Sequence, residues 1–410
     1  MGPLAEIAQD AGYTVSGSDM NESLVSKELE SRGIDIVYEQ TTENVTAEHL
    51  TNPIDWLVYT SAIGNDHPEL EFARENGIRI SKRDEFLVEF LQDKGLKLIA
   101  IAGTHGKTTT TGMMIWTAQQ LGLPISYSIG TTISFGPSGK FDPESKYFIY
   151  ECDEYDRNFL QFNPEITILP SVDYDHADIY PTVDDYKQAF RDFIDQSNQS
   201  VVLASTANYL APLDSENVRI FDHQSSFDEI ALPGQHSRDN AYLVMQALKM
   251  IDDYDDDKLT EILSQFPGTA RRFEKLTNGI YSDYGHHPIE ISATIQMARE
   301  INPNVIVIYQ PHQNERQIGL IDQYKNAFDG AKHVYWLPTY LPPGDREKSA
   351  EILAPNDFIA KLNQPENAEP AEMNDELWDN ILTHHAAGDL ILLCSAGTAD
   401  AWLRDRVENS

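Results

Sequence analysis

Residues Leu96–Met114, LKLIAIAGTHGKTTTTGMM, decide the fold. An apolar strand-like run leads into a turn bracketed by Gly103 and Gly106, and Lys107 is then followed by four threonines, Thr108–Thr111. Backbone N–H groups at a helix N-terminus bind anions, and glycine lets the chain approach a phosphate closely. In such a loop Lys107 reaches the β- and γ-phosphates of a nucleotide, and Thr108 offers its hydroxyl to Mg2+. A plain strand-to-helix turn calls for no lysine followed by β-branched residues, which are poor helix formers. The broad GxxxxGK[ST] pattern wants glycine where this chain has Ile101, so a tighter form, G-T-x-G-K-T-T, is left.

Working outward, short apolar runs alternate with amphipathic ones, the pattern of parallel α/β folds. Before the loop come YTVSGSD, ESLVSKELESRG, DWLVYTSAI, PELEFARENG and IRISKRDEFLVEFLQ. After it come KYFIYECDE, EITILPSVDYD, VDDYKQAFRDFIDQS, SVVLAS and SRDNAYLVMQALKMI. The acidic DDYDDDK and QFPGTARRFEKL mark a boundary near residue 267, beyond which a third α/β unit carries IYSDYG, NVIVIYQP, HVYWLP and DLILLCSAG. Residues 361–376 read as a solvated surface loop, and no repeat of 20–50 residues is visible.

With 410 residues the chain is too long for one core. Its net charge of -36 argues against duplex nucleic acid and against an anionic membrane surface. No apolar run is long enough to span a bilayer, and the N-terminus lacks the pattern of a signal peptide. Two cysteines far apart, Cys152 and Cys394, give no disulfide framework, so a cytoplasmic protein is expected.

Further motifs carry candidate chemistry. YECDEYD places Glu151, Asp153, Glu154 and Asp156 at the end of a strand, where ligands gather in an open parallel sheet. A solvated acidic turn is the plain alternative; oxygen ligands for Mg2+ are the functional one. SVDYDHADIYPT adds Asp175, His176 and Asp178 after the next strand. LPGQHSRDNA sets His236 and Asn240 four apart, on one face of a starting helix, although Asn240 also suits a buried structural amide. GTARRFEKL offers Arg271 and Arg272 in a chain short of cations; arginine suits phosphate, while a surface pair balancing nearby acids is the alternative. SDYGHHPIEISAT carries Asp283, Tyr284, His286 and His287, and YQPHQNERQ carries His312 and Arg316. The adjacent histidines do not read as structural zinc, since no third ligand stands at suitable spacing.

GTHGKTTTT resembles the ATP loop of the Mur ligases, and the ordered set of motifs from about residue 12 to 320 is similar to that family, closest to its alanine-adding branch. The resemblance implies three α/β domains: residues 1–94 as a Rossmann-like domain for a uridine-diphosphate sugar, 95–267 as a P-loop ATPase-type Mg-ATP domain, and 268–410 as a Rossmann-like C-terminal domain contacting amino acid and ATP. It implies ATP and Mg2+ as cofactors, and UDP-N-acetylmuramate and an amino acid, L-alanine first, as partners of a monomer or weak homodimer. The carboxylate would be activated as an acyl phosphate and captured by the amine in peptidoglycan precursor synthesis.

By the same resemblance Gly103, Thr104, His105, Gly106, Lys107, Thr108 and Thr109 hold phosphate, with Thr108, Glu151 and His176 on Mg2+. His236 and Asn240 approach adenine, Arg271, Arg272 and Asp283 the nucleotide, and Tyr284, His286, His287, His312 and Arg316 the substrates. Lys107, Glu151, His176 and Arg316 are the expected catalytic set, and Ser18, Asp19 and Ser61 the uridine contacts. Two departures bear on the substrate. Tyr155 replaces a serine and is closer to the branch that recycles a murein tripeptide, and Gln313 stands where the family has arginine. A non-catalytic nucleotide-sugar-binding paralogue is the alternative from another class. The family opens with a strand and Gly-rich turn ahead of MGPLAEI, so these are expected to be missing, through a start codon set too far downstream or a trimmed chain. The stretch between VVLAS and PGQH is expected to lack strands that the family has.

Overall fold

The structure, a computed structural model, describes residues 1–410 apart from 61–62, 177–178, 214–215, 223–228, 343–351 and 410, and apart from the side chains of residues 24, 315 and 316. Two compact units divide the chain: residues 1–225 with 240–266, and residues 226–239 with 267–410.

In the first unit the quoted stretch is the middle of the main sheet. Strand Lys97–Ile101 lies between Tyr147–Glu151 and Ile166–Leu169, parallel to both. Beyond Ile166–Leu169 come Gln199–Leu203 and Val218–Phe221; beyond Tyr147–Glu151 come Ile125–Ser128 and the antiparallel edge Gly139–Lys140. Leu98 through Ile101 are all buried, because helices cover both faces of a parallel sheet and leave no polar alternation. The register sets Ile101 level with Glu151 and with Ile168, so the glycine loop, the YECDEYD turn and the segment after Leu169 leave the sheet at one edge.

Helix Val183–Gln196 buries Tyr186, Ala189, Phe190, Phe193 and Ile194, the spacing of one helical face. Phe190 and Phe193 meet Phe159 with ring centroids 5.1 and 4.7 Å apart. The Thr182 hydroxyl accepts from Asp185 N–H and starts the helix, with Asp184 and Asp185 favourable to its dipole. The N-terminal helix Gly2–Asp10 and helix Arg83–Lys94 send Leu4, Ile7, Phe86, Leu87 and Phe90 into the same core. Among the described residues the N-terminal strands form two separate parallel pairs, Ser16–Ser18 with Asp35–Val37 and Trp56–Tyr59 with Arg79–Lys82.

The second unit holds a sheet in the order Glu274–Thr277, Ile280–Asp283, Leu390–Ser395, Val305–Gln310, His333–Trp336, Ala368–Pro370, with the first pair antiparallel. Along its central strands successive side chains feed two cores: Val305, Val307, Tyr309, Leu390, Leu392 and Cys394 on one face, Ile306, Ile308, Ile391 and Leu393 on the other. The expectation of a plain surface loop over 361–376 is corrected here. Ala368–Pro370 pairs in parallel with Val334–Trp336, as an edge strand on which Pro370, lacking an N–H, is tolerated. The acidic run at 252–257 is also more than a boundary: the Asp255 carboxylate caps helix Asp256–Ser264 by accepting from Lys258 N–H. Among the described residues no helix is long and apolar enough to cross a membrane.

Candidate active site

The loop after Ile101 needs both of its glycines. Gly103 has φ 141°, and a Cβ there would stand 2.5 Å from the Ser171 carbonyl oxygen. Gly106 has φ 83°, and a Cβ would come within 3.0 Å of Asn240 Nδ2 and 3.1 Å of Pro170 Cβ. The residues between are tied to the neighbouring segment. Thr104 N–H donates to Ser171 O at 2.9 Å, its hydroxyl donates to Asp173 O at 2.7 Å, and Tyr186 OH lies 2.8 Å from that hydroxyl. His105 Nε2 is 3.8 Å from Asp173 Oδ2. Asn240 is thereby placed against the loop itself.

Helix Lys107–Gln120 follows, and its threonines differ in what they meet. Thr108 donates its hydroxyl proton to Glu151 Oε1 at 2.7 Å, and Glu151 Oε2 accepts from Gly130 N–H at 3.1 Å. Thr109 is half-buried, Thr110 is buried, and Thr111 donates back to Lys107 O at 2.9 Å. Mg2+ takes oxygen ligands, commonly one or two carboxylates beside substrate phosphates. The Thr108–Glu151 pair at the mouth of a glycine loop fits that ion. Among the described residues no three His, Cys, Asp or Glu side chains converge on one point.

The structure joins Thr108 to Glu151, but sets His176 against a different carboxylate. His176 Nε2 lies 3.6 Å from Glu154 Oε1, and Glu154, one of four carboxylates in the YECDEYD motif, has a role that the sequence did not single out. Only 1% of its side chain is exposed, and its two oxygens accept from Lys107 Nζ at 3.0 and 2.8 Å. Lys107 Nζ also donates to Gly103 O at 2.5 Å. Burial alone would push both groups toward neutrality; their mutual charge and hydrogen bonds outweigh it, holding Lys107 above and Glu154 below the ordinary values. Burial raises Asp153. Asp156 and Arg157 in this turn, and His176 after the next strand, stand at positive φ, which non-glycine residues rarely adopt, and Tyr155 meets His176 edge-on at 5.2 Å.

In the second unit Tyr284 is flanked by two cations, with Arg271 and Arg272 guanidinium carbons 4.7 and 4.9 Å from its ring centroid. Arg271 also donates to Ser395 O at 2.8 Å. Asp283 is buried and accepts from Phe273 N–H at 2.7 Å and Gly285 N–H at 2.6 Å; burial raises its carboxyl despite Arg272 and those donors. His286 and His312 bring their rings to 5.8 Å, and His312 stacks on Tyr340 at 5.5 Å. His287 is buried, and its Nδ1 accepts from Ile289 N–H at 3.3 Å as the cap of helix Pro288–Ile301. Arg316 belongs to helix Asn314–Leu320, but its side chain lies outside the described residues. His236 borders a groove of about 560 Å³ with Gln235, Asp239, Pro288, Ile289 and Gln296. Burial pushes its imidazole down to about 4, so it is neutral near pH 7.

Of the expected uridine contacts, Ser18 accepts from Gln40 Nε2 at 3.2 Å and the Asp19 carboxylate accepts from Met20 N–H at 2.7 Å; Ser61 lies outside the described residues.

A glycine loop at the carboxyl edge of a parallel sheet, with lysine, threonine and carboxylates converging on it, defines a nucleotide-dependent α/β enzyme. Three consecutive family models match the chain: "Mur ligase family, catalytic domain" over residues 1–94, "Mur ligase middle domain" over 101–220, and "Mur ligase, glutamate ligase domain" over 271–397. The UDP-N-acetylmuramate–L-alanine ligases of Clostridium botulinum and Clostridium acetobutylicum are each 31% identical to it, covering 97% of this chain and 93% of theirs. The chain belongs to the Mur ligase family and is an ATP-dependent ligase. In fold it is similar to the UDP-N-acetylmuramate–alanine ligase of Thermotoga maritima, with TM-score 0.78, 22% identity, and 100% and 96% of the two chains covered. The murein peptide ligase of Psychrobacter arcticus gives TM-score 0.66, 24% identity and coverage of 100% and 97%.

Proposed function

We propose that the protein joins L-alanine to UDP-N-acetylmuramate, consuming ATP, in the cytoplasmic synthesis of peptidoglycan precursors. The observation that carries the ATP half is the Thr108–Glu151 pair, 2.7 Å apart, set directly after Lys107 in the glycine loop. The sugar-nucleotide and alanine half is supported by relatives named for that activity at 31% identity over almost the whole chain.

In this reading residues 1–94 take the uridine diphosphate, 95–267 the Mg-ATP, and 268–410 the amino acid. Bound Mg-ATP supplies the phosphoryl group that activates the muramate carboxylate, which the alanine amine then captures with release of phosphate. The chain's own residues do the rest. Gly103 to Thr109 cradle phosphates with backbone N–H groups, and Lys107 offsets charge on the transferred phosphoryl. Thr108 and Glu151 would hold Mg2+, with His176 at a second position, and the ion would offset phosphate charge there. Asn240 and neutral His236 present uncharged polar groups to the adenine. Arg271 and Arg272 border the nucleotide, with Asp283 fixing the turn beside them. Tyr284, His286 and His312 are assigned to the substrates, with His287 capping the helix beside them; the family resemblance adds Arg316 to this set. A monomer or weak homodimer suffices for this chemistry.

One observation favours a second reading. Tyr155 packs on His176 within the site, and this tyrosine is the feature shared with the tripeptide-adding branch. The test is phosphate release from Mg-ATP with UDP-N-acetylmuramate and, in turn, L-alanine, L-serine, glycine and murein tripeptide. Release requiring the sugar nucleotide and L-alanine is expected. Release with the tripeptide alone would move the chain to the recycling reaction.

A further inference from the structure

Lys107 is fully engaged from within the protein. Its ammonium donates to both oxygens of Glu154, at 3.0 and 2.8 Å, and to the carbonyls of Gly103 and Thr104, at 2.5 and 3.4 Å. An ammonium has three protons to give, so these contacts consume its donor capacity. A nucleotide phosphate can be served only by taking donors from one of these acceptors. The carbonyls are parts of the loop that must itself wrap the phosphates. Glu154 is the anionic acceptor, and it occupies the place in Lys107's coordination that a phosphate oxygen would fill.

Glu154 is also provided with an alternative. His176 Nε2 stands 3.6 Å from Oε1, within ion-pair distance without competing for the lysine. The backbone around it is pinned: Tyr180 donates its hydroxyl proton to the Glu154 carbonyl at 2.5 Å, and the carbonyl of the same residue accepts Arg157 N–H at 3.1 Å. The exchange is therefore confined to the side chain.

We propose that Glu154 is an anionic latch on Lys107, a positioning residue that stands in for phosphate in the nucleotide-free loop and is exchanged for the β- and γ-phosphates when ATP binds. The proposal rests on reading the loop as the ATP site. Its signature is competition that depends on the terminal phosphates alone.

The experiment is calorimetric binding of ATP, ADP and AMP in EDTA, without Mg2+, to the wild-type chain and to Glu154→Gln. Removing the competing charge is expected to tighten ATP and ADP about tenfold and to leave AMP, which has no β-phosphate, within twofold. Glu154→Asp, which keeps the charge but draws it back by one methylene, is expected to fall between the two and serves if the glutamine variant does not fold. In a Lys107→Met background, Glu154→Gln is expected to gain less than twofold. Equal tightening there, or equal tightening of AMP, would mean a general charge effect and would overturn the latch. Unchanged or weaker ATP binding in a folded Glu154 variant would overturn it as well. A wild-type chain that binds no ATP would instead overturn the assignment of the loop, and the latch with it.

Discussion

Tyr309 and Tyr324, both fully buried, bring their hydroxyls to 2.7 Å and form the middle of a hydrogen-bond chain between the loops that carry His286 and His312. At one end Tyr309 OH meets the His286 carbonyl at 3.0 Å; at the other, Tyr324 donates to Gln317, whose Nε2 donates to the His312 carbonyl at 2.8 Å. The two histidines whose rings approach each other are thus spaced by the core beneath them. Tyr324→Phe removes the central hydroxyl and leaves Gln317 Oε1 short of a donor, which should lower stability by about 1–2 kcal/mol. The KM for the amino acid should rise several-fold while that for ATP stays within twofold. Steady-state kinetics with each substrate varied checks this, and equal change in both constants would reduce the chain to a structural role.

The Thr108–Glu151 contact predicts a metal-specific defect. Thr108→Val keeps the β-branched shape but offers no oxygen, and should lower kcat by roughly a hundredfold, in the range that loss of one charge-stabilising group produces. Thr108→Ser should restore most of the rate. A Mg2+ titration of phosphate release separates loss of metal affinity from loss of folding, which circular dichroism monitors.

Gly103→Ala tests the loop's need for close approach. The added Cβ would meet the Ser171 carbonyl oxygen at 2.5 Å, a backbone atom that cannot turn aside. The variant should lose about 1–3 kcal/mol of stability, the scale of a strained backbone position, together with nucleotide binding. Thermal unfolding with and without ATP reads both, and a variant whose melting temperature still rises with ATP would contradict the placement.

Lys107→Ala is not a clean way to abolish phosphate release in this structure. It strands a carboxylate that is 1% exposed, a change that breaks a buried ion pair and typically costs about 3–5 kcal/mol. Lys107→Met with Glu154→Gln should be the better-folded inactive form, and urea unfolding of the single and double variants checks the order.

A pH effect follows from Glu6. Burial, opposed by Gly139 N–H and the half-exposed Arg32, pushes its carboxyl up to about 7 from an ordinary 4.5. The Arg32 ion pair at 3.1 Å would by itself favour the charged form, but burial prevails because Glu6 is only 2% exposed. Between those pH values the folded chain keeps a proton that the unfolded chain has released. Stability therefore falls as pH rises through the window, by up to about 3 kcal/mol. Glu6→Gln retains an acceptor for Gly139 and removes the slope. A difference in unfolding free energy between wild type and variant that stays constant from pH 4.5 to 8 would refute this.

The parallel strands around the loop were legible because both faces of their sheet are covered, so LKLIAIA, KYFIYE and EITIL appear as unbroken apolar runs. Glu151 was legible for the same reason, as the last residue of such a run. Glu154 was not: three residues on, in a chain rich in acids, nothing local separates a fully buried carboxylate from a solvated one. Its partners Lys107, Tyr180 and His176 all come from other segments of the chain. The edge strand Ala368–Pro370 was hidden by its own composition, since one ladder and a proline leave no β-branched signal. The Tyr309–Tyr324–Gln317 chain needed three elements to meet, and spacing alone could not show it.

The paired strands at the N-terminal end have a kinetic consequence. Among the described residues, Ser16–Ser18, Asp35–Val37, Trp56–Tyr59 and Arg79–Lys82 each carry a ladder on one side only, whereas Val305–Gln310 is held on both. Amide protons in the four short strands will trade for deuterium through local opening, long before those of the C-terminal sheet, whose exchange waits on unfolding of its whole unit. The segment assigned to the sugar nucleotide is then the part of the molecule most able to be tightened by a ligand, and its protection factors will report that ligand's arrival.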